Sequence, residues 1–138
     1  MQCVAHLHHD NMKRILLIDD DRAVRMSVMG ILEVGGYSVF EADNGNTGIA
    51  LFRSNPVDLV IVDLFMPEKE GIETIMELRK DYHELKILAI SGGIPCCGPE
   101  QFLTIARNLG ADAALDKPFT MEHLLSVVRD LLGPVTAI

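Results

Sequence analysis

The stretch VDLVIVDLFMPEKEG, residues 57–71, decides the predicted fold. Five of the six residues from Val57 to Val62 are apolar, and a short apolar run of this kind is typical of a buried strand. Asp63 follows directly at the carboxyl end of the run. The other strand ends of the chain explain why a carboxylate stands at the tip of such a strand.

Short apolar runs alternate with helical periodicity five times along the chain. The predicted strands are residues 14–18, 37–42, 58–62, 86–90 and 112–116. Strands that are almost wholly apolar are buried on both faces, and this requires a parallel sheet with helices on either side. The sequence therefore predicts an α/β fold, a doubly wound five-stranded parallel sheet with five helices. The second strand is the least apolar, which indicates an edge of the sheet.

The helices are predicted from apolar residues that recur at intervals of three and four. The predicted helices carry Val24, Val28, Ile31 and Leu32; Phe102, Ile105, Ala106 and Leu109; and Leu124, Val128, Leu131 and Leu132 on their apolar faces. Ile72, Ile75, Met76 and Arg79 indicate a further helix with a weaker pattern. Gly35-Gly36, Gly110 and Gly133-Pro134 are predicted to end three of these helices, and Thr120 to cap the last one.

The composition and charge of the chain argue against several classes of function. A chain of 138 residues supports one domain, and a formal net charge of −8 argues against a nucleic-acid-binding surface, which needs clustered Lys and Arg. No apolar run is long enough to span a membrane, and the N-terminus lacks the pattern of a signal peptide. Three cysteines without framework spacing indicate a reducing, cytoplasmic location.

The two ends of the chain are interpreted separately from the domain. Residues 1–12 are expected to be a disordered leader or an expression remnant, residues 13–133 the domain, and residues 134–138 a tail. The leader contains HLHH with Cys3 nearby, a set that could bind a metal, but its terminal position favours the disordered interpretation.

Polar side chains stand at four of the five predicted strand ends. They are Asp19, Asp20 and Asp21 after the first strand, Asp63 after the third, Ser91 after the fourth and Lys117 after the fifth. Carboxyl ends of parallel strands meet at one edge of the sheet, which is where ligands bind in such folds. Three or four carboxylates would then converge, and a divalent cation such as Mg²⁺ would relieve their repulsion.

Such an edge suits phosphoryl transfer to a carboxylate. A metal ion neutralises the incoming phosphoryl group, aspartyl phosphates are established intermediates, and a lysine and a hydroxyl supply hydrogen bonds to the phosphoryl oxygens. Taken alone, residues 19–21 fit a helix cap with an acidic first turn equally well, and Ser91 before two glycines fits an ordinary turn. Taken together, the polar residues at four strand ends on one edge of the sheet favour a functional site.

The motifs that carry this pattern resemble the receiver domain of response regulators, the CheY-like family. ILLIDDD, VDLFMPEKEG, AISGG and DKPF occur in the family's order and at about its spacings, and the resemblance covers about residues 13–133. It implies a flavodoxin-like fold with strand order 2-1-3-4-5.

The resemblance also implies roles for individual residues. Asp63 would be the phosphoacceptor and one of the Mg²⁺ ligands. Asp20 would bind Mg²⁺ directly, Asp19 would act beside it through water, and the backbone carbonyl of Phe65 would be a further ligand. Ser91 and Lys117 would bind the phosphoryl group, act as switch residues and assist the reaction, Asp21 would cap a helix, and Pro118 would be the second residue of a cis peptide bond.

The function implied by the resemblance is that of a phosphorylated switch in a two-component system or phosphorelay. A histidine kinase or a phosphotransfer protein would donate the phosphoryl group to Asp63 in a Mg²⁺-dependent reaction. The domain would catalyse only its own phosphorylation and dephosphorylation, so it is not expected to be an enzyme in the usual sense. The switched surface would bind a downstream protein, with no nucleic acid or membrane as partner, and the resemblance leaves a homodimer open.

Two features depart from the family pattern. Ala114 occupies a position where the family often has an aromatic switch residue, so the signal is expected to leave by another route. The loop after Ser91 is long and contains Cys96 and Cys97, which we interpret as an ordinary surface insertion, with a redox-sensitive or partner-binding surface as the alternative.

Two other functions stay open. One is a binding module of similar fold that does not depend on phosphorylation, for which Ala114 leaves room. The other is a haloacid-dehalogenase-type phosphatase, in which Asp19 and Asp21 would be the catalytic pair, although Ala23 does not fit that motif. A dinucleotide-binding protein is disfavoured because no G-x-G-x-x-G follows the first strand.

Overall fold

A parallel five-stranded sheet forms the centre of the fold. The computed structural model describes residues 12–64, 66, 70–92 and 99–134. In chain order the elements are β1 Arg14–Ile18, α1 Arg22–Val34, β2 Ser38–Ala42, α2 Gly45–Ser54, β3 Leu59–Asp63, α3 Glu70–Asp81, β4 Lys86–Ser91, α4 Pro99–Leu109, β5 Ala113–Asp116 and α5 Met121–Leu132. The strand order is β2-β1-β3-β4-β5 and every neighbouring pair is parallel. The predicted fold class, strand order and edge position of β2 are confirmed.

The sheet is covered on both faces, and this explains why its central strands are continuously apolar. Alternate residues of β1 point to opposite faces: Leu16 and Ile18 join one core cluster, Ile15 and Leu17 the other. The first cluster packs against α2, α3 and α4, and the second against α1 and α5. The sheet is therefore doubly wound, and its carboxyl edge is left open between the two helical layers.

Two predicted helix faces need correction. In α3, Met76 is 54% exposed, and the buried face is Gly71, Thr74, Ile75 and Leu78. The Thr74 hydroxyl can face inward because it donates to the Glu70 carbonyl at 2.7 Å, which satisfies it within its own helix. In α4, Ile105 lies at the margin of the core and is 38% exposed.

Arg79, also part of the pattern that predicts α3, forms hydrogen bonds to two other elements. Its guanidinium donates to the carbonyl of Gly110 at 2.8 Å and to Asp112 Oδ2 at 2.8 Å. The same Asp112 oxygen accepts from Ile87 N at 2.8 Å. These bonds tie α3 to β4 and to the start of β5, at the edge of the sheet opposite the acidic residues.

The predicted helix ends are confirmed. Asp21 is the N-cap of α1 and accepts from Ala23 N and Val24 N, and Thr120 is the N-cap of α5 and accepts from His123 N. Gly110, which follows α4, has a φ of 118°, a left-handed conformation that a side chain would strain.

Tyr37 carries a buried hydroxyl in the second core cluster, the one that contains Ile15 and Leu17. The residue is 2% exposed, and its hydroxyl oxygen has no hydrogen-bond partner among the described residues. Burial raises the pKa of Tyr37 above 10, and the charge of Arg129 only partly opposes this. An unfolded tyrosine loses its proton near pH 10, so above that pH the unfolded state binds fewer protons than the native state. Stability from this group is therefore complete below about pH 10 and declines as the pH rises further.

Tyr37→Phe is expected to raise the free energy of unfolding by about 1 kcal/mol at neutral pH, because it removes an unsatisfied buried hydroxyl. It should also weaken the loss of stability above pH 10. Urea unfolding at pH 8 and pH 10.5 measures both effects. Tyr82→Phe is the matched control, because Tyr82 is only partly buried and its side chain interacts with Arg53. A Tyr37→Phe variant that is less stable than the wild type would show that the hydroxyl has a partner in solution.

Candidate functional site

The carboxyl ends of four strands bring the predicted site residues together. Asp63 and Ser91 are the last residues of β3 and β4, Asp19 follows β1, and Lys117 follows β5. Asp19, Asp63 and Ser91 are buried, at 0%, 6% and 1% exposure. The Lys117 backbone N–H donates to the Ser91 carbonyl at 2.7 Å, which joins the β4 and β5 ends directly. These four residues therefore line one edge of the sheet, as the sequence predicts.

Three carboxylates form a cluster at this edge. Asp19, Asp20 and Asp63 each offer an oxygen atom, and these oxygens lie within 4.8 Å of one another. Asp20 is exposed, whereas Asp19 and Asp63 are buried. Asp21, considered as a fourth member, is not in the cluster and instead caps α1.

Lys117 bridges the two buried carboxylates. Its Nζ lies 3.0 Å from Asp19 Oδ2 and 3.3 Å from Asp63 Oδ2. Burial by itself disfavours the charged ammonium, but the hydrogen bond to Asp19 and the charges of Asp63 and Asp19 outweigh it and raise the pKa of Lys117 above its usual range. The lysine therefore stays charged at neutral pH and places a positive charge directly beside Asp63.

The donor set fits a hard divalent cation. Three carboxylates face one ammonium group, so an ionised cluster keeps an excess of negative charge that Lys117 alone does not balance. Carboxylate oxygens at this spacing are the ligands that Mg²⁺ prefers, with water completing the octahedron. The predicted further ligand, the carbonyl of Phe65, lies outside the described residues.

Asp19 is held at every polar atom. Its backbone N–H donates to the Ala42 carbonyl at 3.2 Å, and its Oδ1 accepts from the Asp21 N–H at 2.9 Å. Its carbonyl accepts from Arg25 Nη1 at 2.7 Å, and Lys117 occupies Oδ2. Sequence analysis missed Arg25, because an arginine on an amphipathic helix looks like a solvent-exposed residue.

Gly71 lets α3 approach the end of β3. A Cβ atom at this position would fall inside the van der Waals distance of the Asp63 carbonyl oxygen and 2.8 Å from the Leu64 carbonyl oxygen. The Glu70 carboxylate beside it accepts from the Gly45 N–H at 2.7 Å, which joins α3 to the start of α2. Glu70 and Gly71 both lie in the stretch of residues 57–71, but the sequence pattern of that stretch does not indicate these contacts.

The remaining predictions concern the surroundings of the site. Ala114 lies in β5 and pairs with Ala89. The peptide bond between Lys117 and Pro118 is cis, as predicted. Cys96 and Cys97, residues 1–11 of the predicted leader, and residues 135–138 of the predicted tail lie outside the described residues. Within the described residues, no helix combines the length and apolar character needed to cross a bilayer.

The fold and this edge define a flavodoxin-like α/β domain with an acidic cluster and a lysine at the carboxyl ends of its strands. The sequence matches the family model of the response regulator receiver domain over residues 15–129. The chain therefore belongs to the receiver domain family of the response regulators of two-component systems.

Individual relatives agree with this assignment. The chain is 38% identical over 123 residues to response regulator MprA of Mycolicibacterium vanbaalenii, covering 89% of the chain and 52% of that protein. It is 36% identical to the sensor kinase CckA of Brucella abortus, covering 86% of the chain and 12% of that protein. The chain thus spans about half the length of the curated response regulators it matches.

Solved structures give the same fold. A CheY-like receiver domain protein of Methanospirillum hungatei superposes with a TM-score of 0.78 at 30% identity, covering 88% of this chain and 94% of that one. Chemotaxis protein CheY4 of Vibrio cholerae superposes with a TM-score of 0.78 at 29% identity, covering 88% of this chain and 99% of that one.

Proposed function

We propose that the chain accepts a phosphoryl group on Asp63 in a Mg²⁺-dependent reaction. One observation carries this proposal: the Asp63 carboxylate lies in a three-carboxylate cluster and, at the same time, 3.3 Å from the ammonium of Lys117. The cluster provides a place for a divalent cation on one side of Asp63, and the lysine provides a cation for phosphoryl oxygens on another.

The donor in this proposal is the phosphohistidine of a histidine kinase or of a phosphotransfer protein. A carboxylate oxygen of Asp63 attacks the phosphorus atom and forms an acyl phosphate, while the P–N bond breaks and its electron pair returns to the imidazole. Lys117 and the Ser91 hydroxyl donate to the phosphoryl oxygens as charge develops on them. Asp19, Asp20, Asp63 and the Phe65 carbonyl would hold Mg²⁺, which supplies charge neutralisation for the approaching phosphoryl group.

The product is a switch and not a released molecule. Attaching the phosphoryl group to Asp63 biases an equilibrium between two conformations of the domain, and the favoured conformation binds a downstream protein. The bond between the Lys117 N–H and the Ser91 carbonyl gives the signal a backbone route from β4 to β5. This route does not need an aromatic side chain at position 114. A cytoplasmic location belongs to the same proposal.

Phosphorylation by acetyl phosphate tests the proposal directly. The intact mass of the wild type should rise by one phosphoryl group when Mg²⁺ is present and stay unchanged in EDTA. Asp63→Asn has nearly the same shape without the nucleophilic oxygen, so its mass should stay unchanged in both conditions. A wild type that gains no mass with Mg²⁺ would favour the binding module that does not depend on phosphorylation.

A further inference from the structure

An arginine–carboxylate pair, Arg25 and Glu41, contacts the acidic cluster through the backbone of Asp19. Arg25, in the second turn of α1, donates from Nη1 to the Asp19 carbonyl at 2.7 Å and from Nε to Glu41 Oε1 at 2.8 Å. The Arg25 side chain is only 13% exposed. Its backbone N–H donates to the Asp21 carbonyl at 3.0 Å. The guanidinium therefore connects α1, the end of β1 and the end of β2.

The bond to the Asp19 carbonyl constrains Asp20. A peptide bond is planar, so the group that contains the Asp19 carbonyl also contains the backbone nitrogen of Asp20. Asp20 is the exposed member of the cluster, whereas Asp19 is fixed by contacts at all its polar atoms. Arg25 holds this peptide plane through the Asp19 carbonyl. It therefore limits the directions in which the Asp20 carboxylate can point.

The geometry calls for arginine and not for a general positive charge. The guanidinium is a rigid, planar fork, and here two of its nitrogens serve two different acceptors. An ammonium group at the same position has no fixed fork and would not hold both partners in one orientation. Glu41 in turn orients the fork, because it is the carboxylate that accepts from Arg25 Nε.

We infer that Arg25, oriented by Glu41, is a positioning residue that directs Asp20 toward the divalent cation. The inference rests on the proposed function, since it concerns the same metal site. Arg25 touches neither the cation nor the phosphoryl group in this account. Its contribution is to keep the Asp19–Asp20 peptide in the orientation that makes Asp20 a ligand, as the hydrogen-bond partners of metal ligands commonly do.

Calorimetric titration of the unphosphorylated protein with Mg²⁺ tests the inference. Arg25→Met should weaken Mg²⁺ binding about tenfold, the low end of the effect of such partners. Glu41→Gln keeps an acceptor but loses the charge, so it should weaken binding about threefold. Arg22→Met is the matched control: it removes the same charge from an exposed position in the first turn of the same helix, and Mg²⁺ affinity should remain at the wild-type level.

A second measurement separates positioning from a general structural role. Phosphorylation of Arg25→Met by acetyl phosphate should need more Mg²⁺ than the wild type but reach the wild-type rate when Mg²⁺ saturates. A reduced rate at saturating Mg²⁺ would overturn the inference, as would an equal loss of affinity in Arg22→Met. If Arg25→Met does not fold, unchanged affinity in Glu41→Gln overturns it. A wild type that binds no Mg²⁺ would contradict the proposed function itself.

Discussion

Gly71→Ala is expected to lower the free energy of unfolding by about 3 kcal/mol, because there is no room for the added methyl group. The atoms it would meet are the carbonyl oxygens of Asp63 and Leu64. Both belong to the backbone, so they cannot move aside as a flexible side chain can. Making room for the methyl group requires either α3 or the end of β3 to shift. A shift of the end of β3 would displace Asp63. Phosphorylation by acetyl phosphate should therefore slow together with the loss of stability.

Gly30→Ala is the matched control for this experiment. Gly30 is also a helical glycine, but it lies on the exposed side of α1, and a Cβ there would meet nothing within 4 Å. Alanine at this position should raise stability by about 0.5–1 kcal/mol, since it is a better helix former and restricts the unfolded chain. Urea unfolding of both variants measures the contrast. Equal effects at positions 30 and 71 would mean that α3 does not press against β3 as described.

Lys117→Met should have an effect of similar size through electrostatics. The ammonium of Lys117 contacts both buried carboxylates, and methionine fills nearly the same space without the charge. Removing one partner of a buried ion pair costs about 3 kcal/mol, because the remaining charges are left unbalanced. Stability of the variant should therefore fall at neutral pH in EDTA. Phosphorylation should slow as well, since a donor to the phosphoryl oxygens is lost.

Mg²⁺ should restore part of the stability of Lys117→Met. A cation that binds the folded cluster and not the unfolded chain stabilises the fold, and here it replaces the missing positive charge. Thermal unfolding with and without Mg²⁺ measures this effect. Lys86→Met, at the exposed start of β4 and the opposite edge of the sheet, is the control and should change little. A Lys117→Met variant as stable as the wild type in EDTA would show that the two contacts are not ion pairs in solution.

The sheet could be predicted from the sequence because its pattern is simple. Residues 15–18, 59–62 and 87–90 are all 0% exposed, so every position in the central strands must be apolar and the runs are unmistakable. The carboxyl edge follows from the topology: Asp19 and Lys117 are 98 residues apart in the chain, yet both follow parallel strands of one sheet and meet at its edge.

The helix faces and the supporting contacts could not be predicted in the same way. Helical periodicity registers large apolar residues, so it selected Met76 and overlooked Thr74, whose hydroxyl is satisfied within its own helix. Arg25 and Gly71 act through single backbone carbonyls that belong to other elements. Such contacts depend on how closely elements approach one another, and no local pattern records that distance.

The position of the phosphoryl group is the most direct measurement of the central claim. Borohydride reduces an acyl phosphate and leaves homoserine at the modified residue. After treatment with acetyl phosphate and Mg²⁺, tryptic cleavage after Arg14, Arg22, Arg53 and Lys69 places residues 19–21 and residue 63 on different peptides. We predict homoserine at position 63, and at that position alone, by fragmentation mass spectrometry. Homoserine at position 19 would support the phosphatase alternative, and its absence from position 63 would contradict the account.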